Sequence, residues 1–195
     1  MACRAELFCE DSAHESCARA VVGRIARELG ASVTIRTASA KFGIGRLKTE
    51  LLAFQALVKR RAGTPDLLIV VVDANAVGPQ ARRREVEQLI DPAVFPRHVV
   101  GTPDPCVERW LLADPGGFAE RFGLQPPLAA VRDRREWKRR LQETLERAGE
   151  IVTQGGGEFA DEIIETMDFY RAGQADQTIQ TFADDVRGAL RQIGA

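Results

Sequence analysis

The chain is expected to fold as an α/β domain, a mainly parallel sheet flanked by helices, with a helical C-terminal region. Three observations lead there. Over residues 1–125, stretches of strand character alternate with stretches of helical periodicity, the rhythm of right-handed strand–helix–strand units. The run LLIVVV at 67–72 shows no polar–apolar alternation, which suits a strand buried on both faces, as in a parallel sheet. Beyond Pro126-Pro127 strand-like runs cease and charged amphipathic segments take over. Residues 126–195 are therefore expected to pack on the sheet domain as an annex, not to fold alone.

The elements follow in order. AELFC (5–9) is a short apolar strand. SAHE follows it and fits a capping box, Ser12 as N-cap and Glu15 reaching back. Val21, Val22, Ile25 and Leu29 then recur at helical spacing, and Gly30 is a plausible stop. ASVTIRT (31–37) has the β-branched content of a second strand. KFGIG reads as a loop, and Leu47, Leu51, Leu52, Phe54 and Val58 stripe a helix over 46–60. GTP breaks the chain before the strand at 67–72, and a helix over about 80–90 leads to a strand at 97–101. PCVERWLLADP (105–115) reads as a short helix closed by Pro115. In the annex, helices are expected over 133–150, 158–171 and 176–193, with the glycines at 155–157 as a connector.

A chain of 195 residues with 45% hydrophobic content is enough for one folded domain with a small annex. The 27 basic and 28 acidic residues leave a net charge of −1, so no global basic excess announces nucleic acid. No apolar stretch approaches the roughly 20 residues needed to cross a bilayer, and the N-terminal MACRAELFCEDS lacks the longer apolar segment of a signal peptide. A soluble, cytoplasmic protein is expected. Cys3, Cys9, Cys17 and Cys106 form no CxxC pair, and reduced, buried thiols are the simplest reading. A cysteine hydrolase is disfavoured: only His14 and His98 are available as bases. GxGxxG does not follow the first strand, which excludes a dinucleotide site of that type.

Ligands of open parallel sheets bind at the carboxyl ends of the strands, and acids fall there. Glu10 ends the first strand, Asp73 and Asn75 end the third, and Glu108 follows the fourth. Gathered carboxylates repel each other unless a cation neutralises them, and oxygen donors of this kind suit Mg2+ or Mn2+. A metal so held serves phosphoryl-transfer or phosphodiester chemistry. Each residue also has a plainer reading: Glu10 and Asp73 as turn residues, Glu108 as a solvated helix residue, Glu15 as a cap, Asp114 as a helix terminator before Pro115.

LFCEDSAHE, IVVVDAN and PCVERWLLAD, in that order, resemble the Toprim-like proteins of unknown function associated with bacterial mobile elements and phage defence. Their pattern is a strand ending in glutamate, a strand ending in Asp-x-Asp, then Glu-x-Trp-Leu-Leu-Ala-Asp. The third motif is the most specific, with Glu108, Trp110, Leu111, Leu112, Ala113 and Asp114 in place, and the match covers roughly residues 5–125. The resemblance implies a Toprim-like (Rossmann-like) domain at 1–125 and a magnesium-dependent site for breaking or joining phosphodiester bonds. It implies Glu10 as general acid/base, Asp73 with the Asn75 position as metal holders, and Glu108 as a further ligand or structural mark. Two departures stand out: Asp11 where glycine is common, and Asn75 in place of the second acid, which offers a carbonyl oxygen but no charge.

Basic clusters lie at 59–61, 82–84 and 132–140, the last interleaving Trp137 with arginines that could meet a single strand; a solvated, salt-bridged face is the equal alternative. Lys41, Arg46 and Lys48 flank the FGIG loop and, with Arg82 and Arg83, are candidate nucleic-acid contacts. Two functions are thus expected. One is a Mg2+- or Mn2+-dependent nuclease or related phosphotransfer protein acting on DNA or RNA in defence against phage or mobile elements. The other is a non-catalytic module of the same fold that partners another protein, such as an ATPase.

Overall fold

A computed structural model describes residues 2–38, 44–60, 63–127, 131 and 133–194. Four strands, β1 (Cys3–Cys9), β2 (Val33–Thr37), β3 (Leu67–Val71) and β4 (His98–Gly101), form one all-parallel sheet in the order β2-β1-β3-β4. Pairing sets Ala5 opposite Leu67, Cys9 opposite Val71, and Val71 opposite Gly101. Every residue of β3 is buried, as expected of an unalternating apolar run inside a parallel sheet.

Crossovers run through α1 (Ser12–Glu28), α2 (Ile44–Arg60) and α3 (Pro79–Glu87). Alternate strand residues feed two cores. Ala5, Leu7, Ile69, Val71 and Val99 face α1 and the helices of the C-terminal half, whereas Phe8, Leu68, Val70 and Val100 face α2 and α3. The chain leaves β1 toward one face and β3 toward the other, so the order reverses between these two strands, and a crevice opens beyond their carboxyl ends.

Beyond β4 come α4 (Val107–Leu111), α5 (Pro115–Phe122), α6 (Arg134–Arg147), α7 (Ala160–Thr166), α8 (Phe169–Ala175) and α9 (Gln177–Ile193). All pack on the α1 side. Trp137, Leu141, Ile163, Phe182 and Val186 share one continuous core with α1 and the sheet. Among the described residues no helix is long and apolar enough to cross a membrane.

Several expected boundaries move, each for a local reason. Asp11, not Ser12, caps α1: its carboxylate accepts the backbone N–H of His14 at 3.1 Å. Glu15 then plays no capping part and holds Arg19 at 3.0 Å and the Thr37 hydroxyl at 2.7 Å. Pro115 opens α5 instead of closing a helix, because proline at the first helical position surrenders no hydrogen bond. The helix expected over 158–171 breaks at Met167, whose ψ is 131°, and Asp168 caps the new helix α8 through the N–H groups of Tyr170 and Arg171. The glycines at 155–157 are a tight junction, not a loose connector. A Cβ on Gly156 (φ +94°) would lie 2.8 Å from Leu141, and one on Gly157 2.9 Å from Ala13.

Candidate functional site

The crevice between β1 and β3 is built from buried charge. Asp73 follows β3 and is fully buried, a position that requires its charge to be met. His14, one turn into α1 and 1% exposed, meets it: Nε2 lies 2.7 Å from Asp73 Oδ1 and Nδ1 lies 2.7 Å from Asp11 Oδ1. Burial alone would discharge this imidazole, but hydrogen bonds to Asp11 and Asp73 outweigh it and push the pKa up to about 10. The ring is therefore an imidazolium between two carboxylates, and both nitrogens donate. Asp11, despite partial burial, is held well below the usual carboxylate range by His14.

On its other oxygen Asp73 is met from α6. Arg134 Nη2 lies 2.7 Å from Asp73 Oδ2, as a charge contact without an aligned N–H, so that oxygen is buried yet receives no hydrogen bond. Arg134 Nη1 also donates to Asn75 Oδ1 at 3.3 Å, and Arg82 Nε donates to the Asp73 carbonyl at 3.2 Å. Asn75 stands at φ +50°, a left-handed conformation that asparagine tolerates better than most residues. Glu10 lies among these charges: burial raises its carboxyl above the ordinary range, and it feels His14, Asp73, Arg134 and Asp11. Its Oε1 is buried without a donor.

Glu108 sits one step away. It is buried at the start of α4, with Oε1 3.3 Å from Lys138 Nζ and Oε2 without a donor. Its charge reaches Cys17 and Cys106, two buried thiols that burial itself pushes upward, and Cys106 also feels Asp73. Glu10 and Asp73 thus share one cluster, and Glu108 occupies a neighbouring one beyond Cys106. Arg134 and Lys138, one turn apart on α6, serve the two clusters in turn. A cavity of about 670 Å³ opens beside Asn75 and Arg134, and one of about 450 Å³ opens beside Asp11, Glu108 and Lys138.

The fit to a divalent cation is divided. Glu10 Oε1, Asp73 Oδ2 and Glu108 Oε2 are buried without a formed hydrogen bond, as are Asp176 Oδ2 and Asp185 Oδ2 away from the crevice, and Asp73 Oδ2 is in charge contact with Arg134. Yet among the described residues no three acid, histidine or cysteine side chains are grouped to hold one. Arg134 stands at the oxygen of Asp73 that an ion would use. Among the described residues the side chains around Asp73 thus do not present the donor set of a divalent-cation site.

The other expected contacts lie elsewhere. Lys41 is outside the described residues. Arg46 pairs with Glu50 at 2.7 Å, Lys48 and Arg82 both pair with Glu85, and Arg83 holds Glu87 at 2.8 Å and Asp185 at 2.7 Å. These four cations serve the chain's own acids and do not form an open basic face. Trp137 is not a stacking platform: it is 3% exposed, donates to the Val131 carbonyl at 2.9 Å, and lies under Arg109 and Arg140. Trp110 and Asp114 of the third motif are likewise structural. Trp110 donates to Thr178 Oγ1 at 2.7 Å and stacks on Phe182. Asp114 accepts from Arg171 Nε at 3.0 Å, from Arg171 Nη2 at 2.9 Å and from the Asp168 N–H at 2.7 Å.

His14, Arg134 and Lys138 are the site residues that sequence reasoning missed. The Asp11-x-x-His14 spacing carried a signal, since an N-cap acid and a side chain three residues on share one helix turn. Arg134 and Lys138 fall in the basic cluster at 132–140, read there as a single-strand contact or a solvated face and not as partners of the acids. Searches against protein-family models, curated proteins and solved structures return no match to this chain.

Proposed function

We propose that the crevice handles phosphodiesters, as a Toprim-like nuclease or phosphotransfer protein acting on DNA or RNA with Mg2+ or Mn2+. One observation carries this reading: Glu10, at the end of β1, buries an oxygen that no donor meets, beside Asp73, His14 and Arg134 at the switch point of the sheet. A buried, unpaired carboxylate oxygen is costly, which favours a site that meets a proton or a cationic group during its work. Glu10, with its raised carboxyl, is suited to give a proton to a leaving oxygen. Imidazolium His14 orients and neutralises Asp73. Arg134 and Lys138 supply positive charge at the rim, where a phosphate would arrive.

The test is a cleavage screen on single-stranded DNA, duplex DNA and tRNA, with and without Mn2+. Wild type is expected to cut at least one substrate. Glu10→Gln and Asp73→Asn are expected to lower the rate by about a hundredfold or more, with the thermal midpoint of Glu10→Gln unchanged. Absence of cleavage in every condition defeats the enzymatic reading.

The second reading, a non-catalytic module that partners a protein such as an ATPase, is favoured by Asn75 and by the ion pair of Arg134 with Asp73. It predicts binding of nucleic acid or partner with no cleavage in the same screen.

A further inference from the structure

A further cavity, of about 460 Å³, opens at the carboxyl end of β4 between α3 and α9, a volume typical of small-ligand sites. It shares Asp104 and Arg109 with the cavity of about 670 Å³ beside Arg134, so the two are neighbours on one surface. Its lining mixes the apolar Val100 and Ala175 with the amides of Gln80 and Gln177. Asp176, the N-cap of α9, lines it too and is 5% exposed. Capping uses only one of its oxygens. Oδ1 accepts the Thr178 N–H at 2.9 Å and the Thr178 hydroxyl at 2.5 Å. Trp110 Nε1, which can only donate, holds that same hydroxyl at 2.7 Å, so the hydroxyl proton is directed to Asp176. Oδ2 is buried and receives no hydrogen bond. Arg109 Nε lies 3.4 Å from it, in charge contact only, and the carbonyls of Asp104 at 2.6 Å and Ala175 at 2.7 Å tie the arginine's other two nitrogens. An unbonded oxygen alone would not mark a site: Asp185 Oδ2 is in the same state and simply pairs with Arg83 at 2.7 Å. The cavity that Asp176 lines makes the difference.

We propose that this cavity is a nucleobase subsite, one cavity removed from the crevice, in which Asp176 Oδ2 accepts an N–H of the base. This inference rests on the phosphodiester reading and adds a residue that reads the base, where Arg134 and Lys138 meet only the backbone. A base sets N–H donors beside ring and carbonyl acceptors. A carboxylate oxygen answers the donor, and amides such as Gln80 and Gln177 can answer either kind. Burial raises the Asp176 carboxyl above its ordinary range, which suits a neutral N–H partner and not a second anion. The Watson–Crick edge of a base is free only where the strand is unpaired, so the ligand is a single strand.

The experiment measures, by fluorescence anisotropy with and without Mn2+, the binding of a mixed-sequence single-stranded oligonucleotide and of an abasic oligonucleotide of the same length. Wild type is expected to bind the base-bearing strand about tenfold tighter than the abasic one. Asp176→Asn keeps the cap, since asparagine caps as well as aspartate. The two Thr178 donors hold the amide oxygen at the Oδ1 place, so an NH2 group replaces Oδ2 and an acceptor becomes a donor. This variant should lose the tenfold preference while its affinity for the abasic strand stays within about twofold. Thr181→Phe, at an exposed position on the cavity lining, fills the cavity without touching Asp176 and should lose the same preference. A purely structural role for Asp176 would weaken both strands alike. Equal binding of the two strands by wild type overturns the proposal and leaves the phosphodiester reading standing, as does a preference that survives in both variants. If wild type binds neither strand in either condition, the phosphodiester reading falls and this inference with it.

Discussion

Two buried aspartates, each facing a partly exposed arginine, do different jobs. Asp114, at the head of α5, is 2% exposed and completely used: Arg171 meets it with two aligned N–H groups and the Asp168 N–H adds a third bond. Asp73, at the crevice, is equally buried, but Arg134 approaches without an aligned N–H and one oxygen receives no hydrogen bond. A saturated carboxylate ties α5 to α8 and has nothing left to offer a ligand. An unsaturated one keeps a binding valence at the cost of stability. Hydrogen-bond completeness thus separates these two aspartates, but it does not mark a site alone, since Asp176 and Asp185 also bury an Oδ2 without a hydrogen bond.

The comparison breaks most visibly at Asp114. Asp114→Ala leaves the Asp168 N–H without its acceptor and frees Arg171, so it is expected to destabilise the fold by about 3 kcal/mol, or roughly 6–12 °C in thermal midpoint. Thermal melts check it. A normal melt would mean that Asp114 does not tie α5 to α8 and that the two aspartates had been sorted the wrong way round.

A smaller effect separates the two regions by pH. His14 carries a pKa of about 10 against an ordinary 6.5, so its protonated form stabilises the fold fully below about pH 6.5. That contribution declines as pH rises and is gone above about pH 10. Asp114 moves the other way. Burial opposes its charge, but Arg171 and the backbone N–H groups of Asp168 and Gly117 outweigh it and lower its pKa. Its contribution is present above the ordinary aspartate range and is lost as pH falls below it. Neutral imidazole can still donate to one carboxylate, so deprotonation removes one of the two charged hydrogen bonds. Wild type should lose stability between pH 7 and pH 10, and His14→Gln should lack that slope. Denaturant melts across pH decide it; parallel slopes in the two proteins would show that His14 does not hold Asp73.

The sheet and the crevice acids were legible in the sequence because their signals are local. A strand buried on both faces cannot alternate, so LLIVVV announced β3, and the abrupt change at Asp73 marked its end. The third motif divides between packing and charge. Trp110 and Asp114 anchor α9 and α8, and Glu108 meets Lys138 in the cluster beside the crevice. Proline misled at residue 115, since it ends one helix as readily as it begins the next. Arg134 and Lys138 were hidden for a different reason. They reach the site only because α6 packs on α4 beside the ends of the strands, and a helix dense in arginine and glutamate looks the same in sequence whether it faces water or an acidic crevice. Here Arg139 and Arg140 pair with Glu136 on α6 itself, while Arg134 and Lys138 face inward.

The finest distinction concerns Asn75, the position where the motif expects an acid. Asn75→Asp keeps the left-handed backbone, which aspartate also tolerates, and places a carboxylate where Arg134 Nη1 now meets an amide oxygen at 3.3 Å. In the wild-type background the added charge is met by Arg134, so stability should shift by no more than about 0.5 kcal/mol. In the Arg134→Gln background that cation is gone and the new carboxylate faces Asp73 without it, so the same substitution should cost about 1 kcal/mol. A double-mutant cycle in stability, read from denaturant melts, therefore carries a coupling between residues 75 and 134. If Asn75→Asp acts equally in both backgrounds, Arg134 does not hold residue 75.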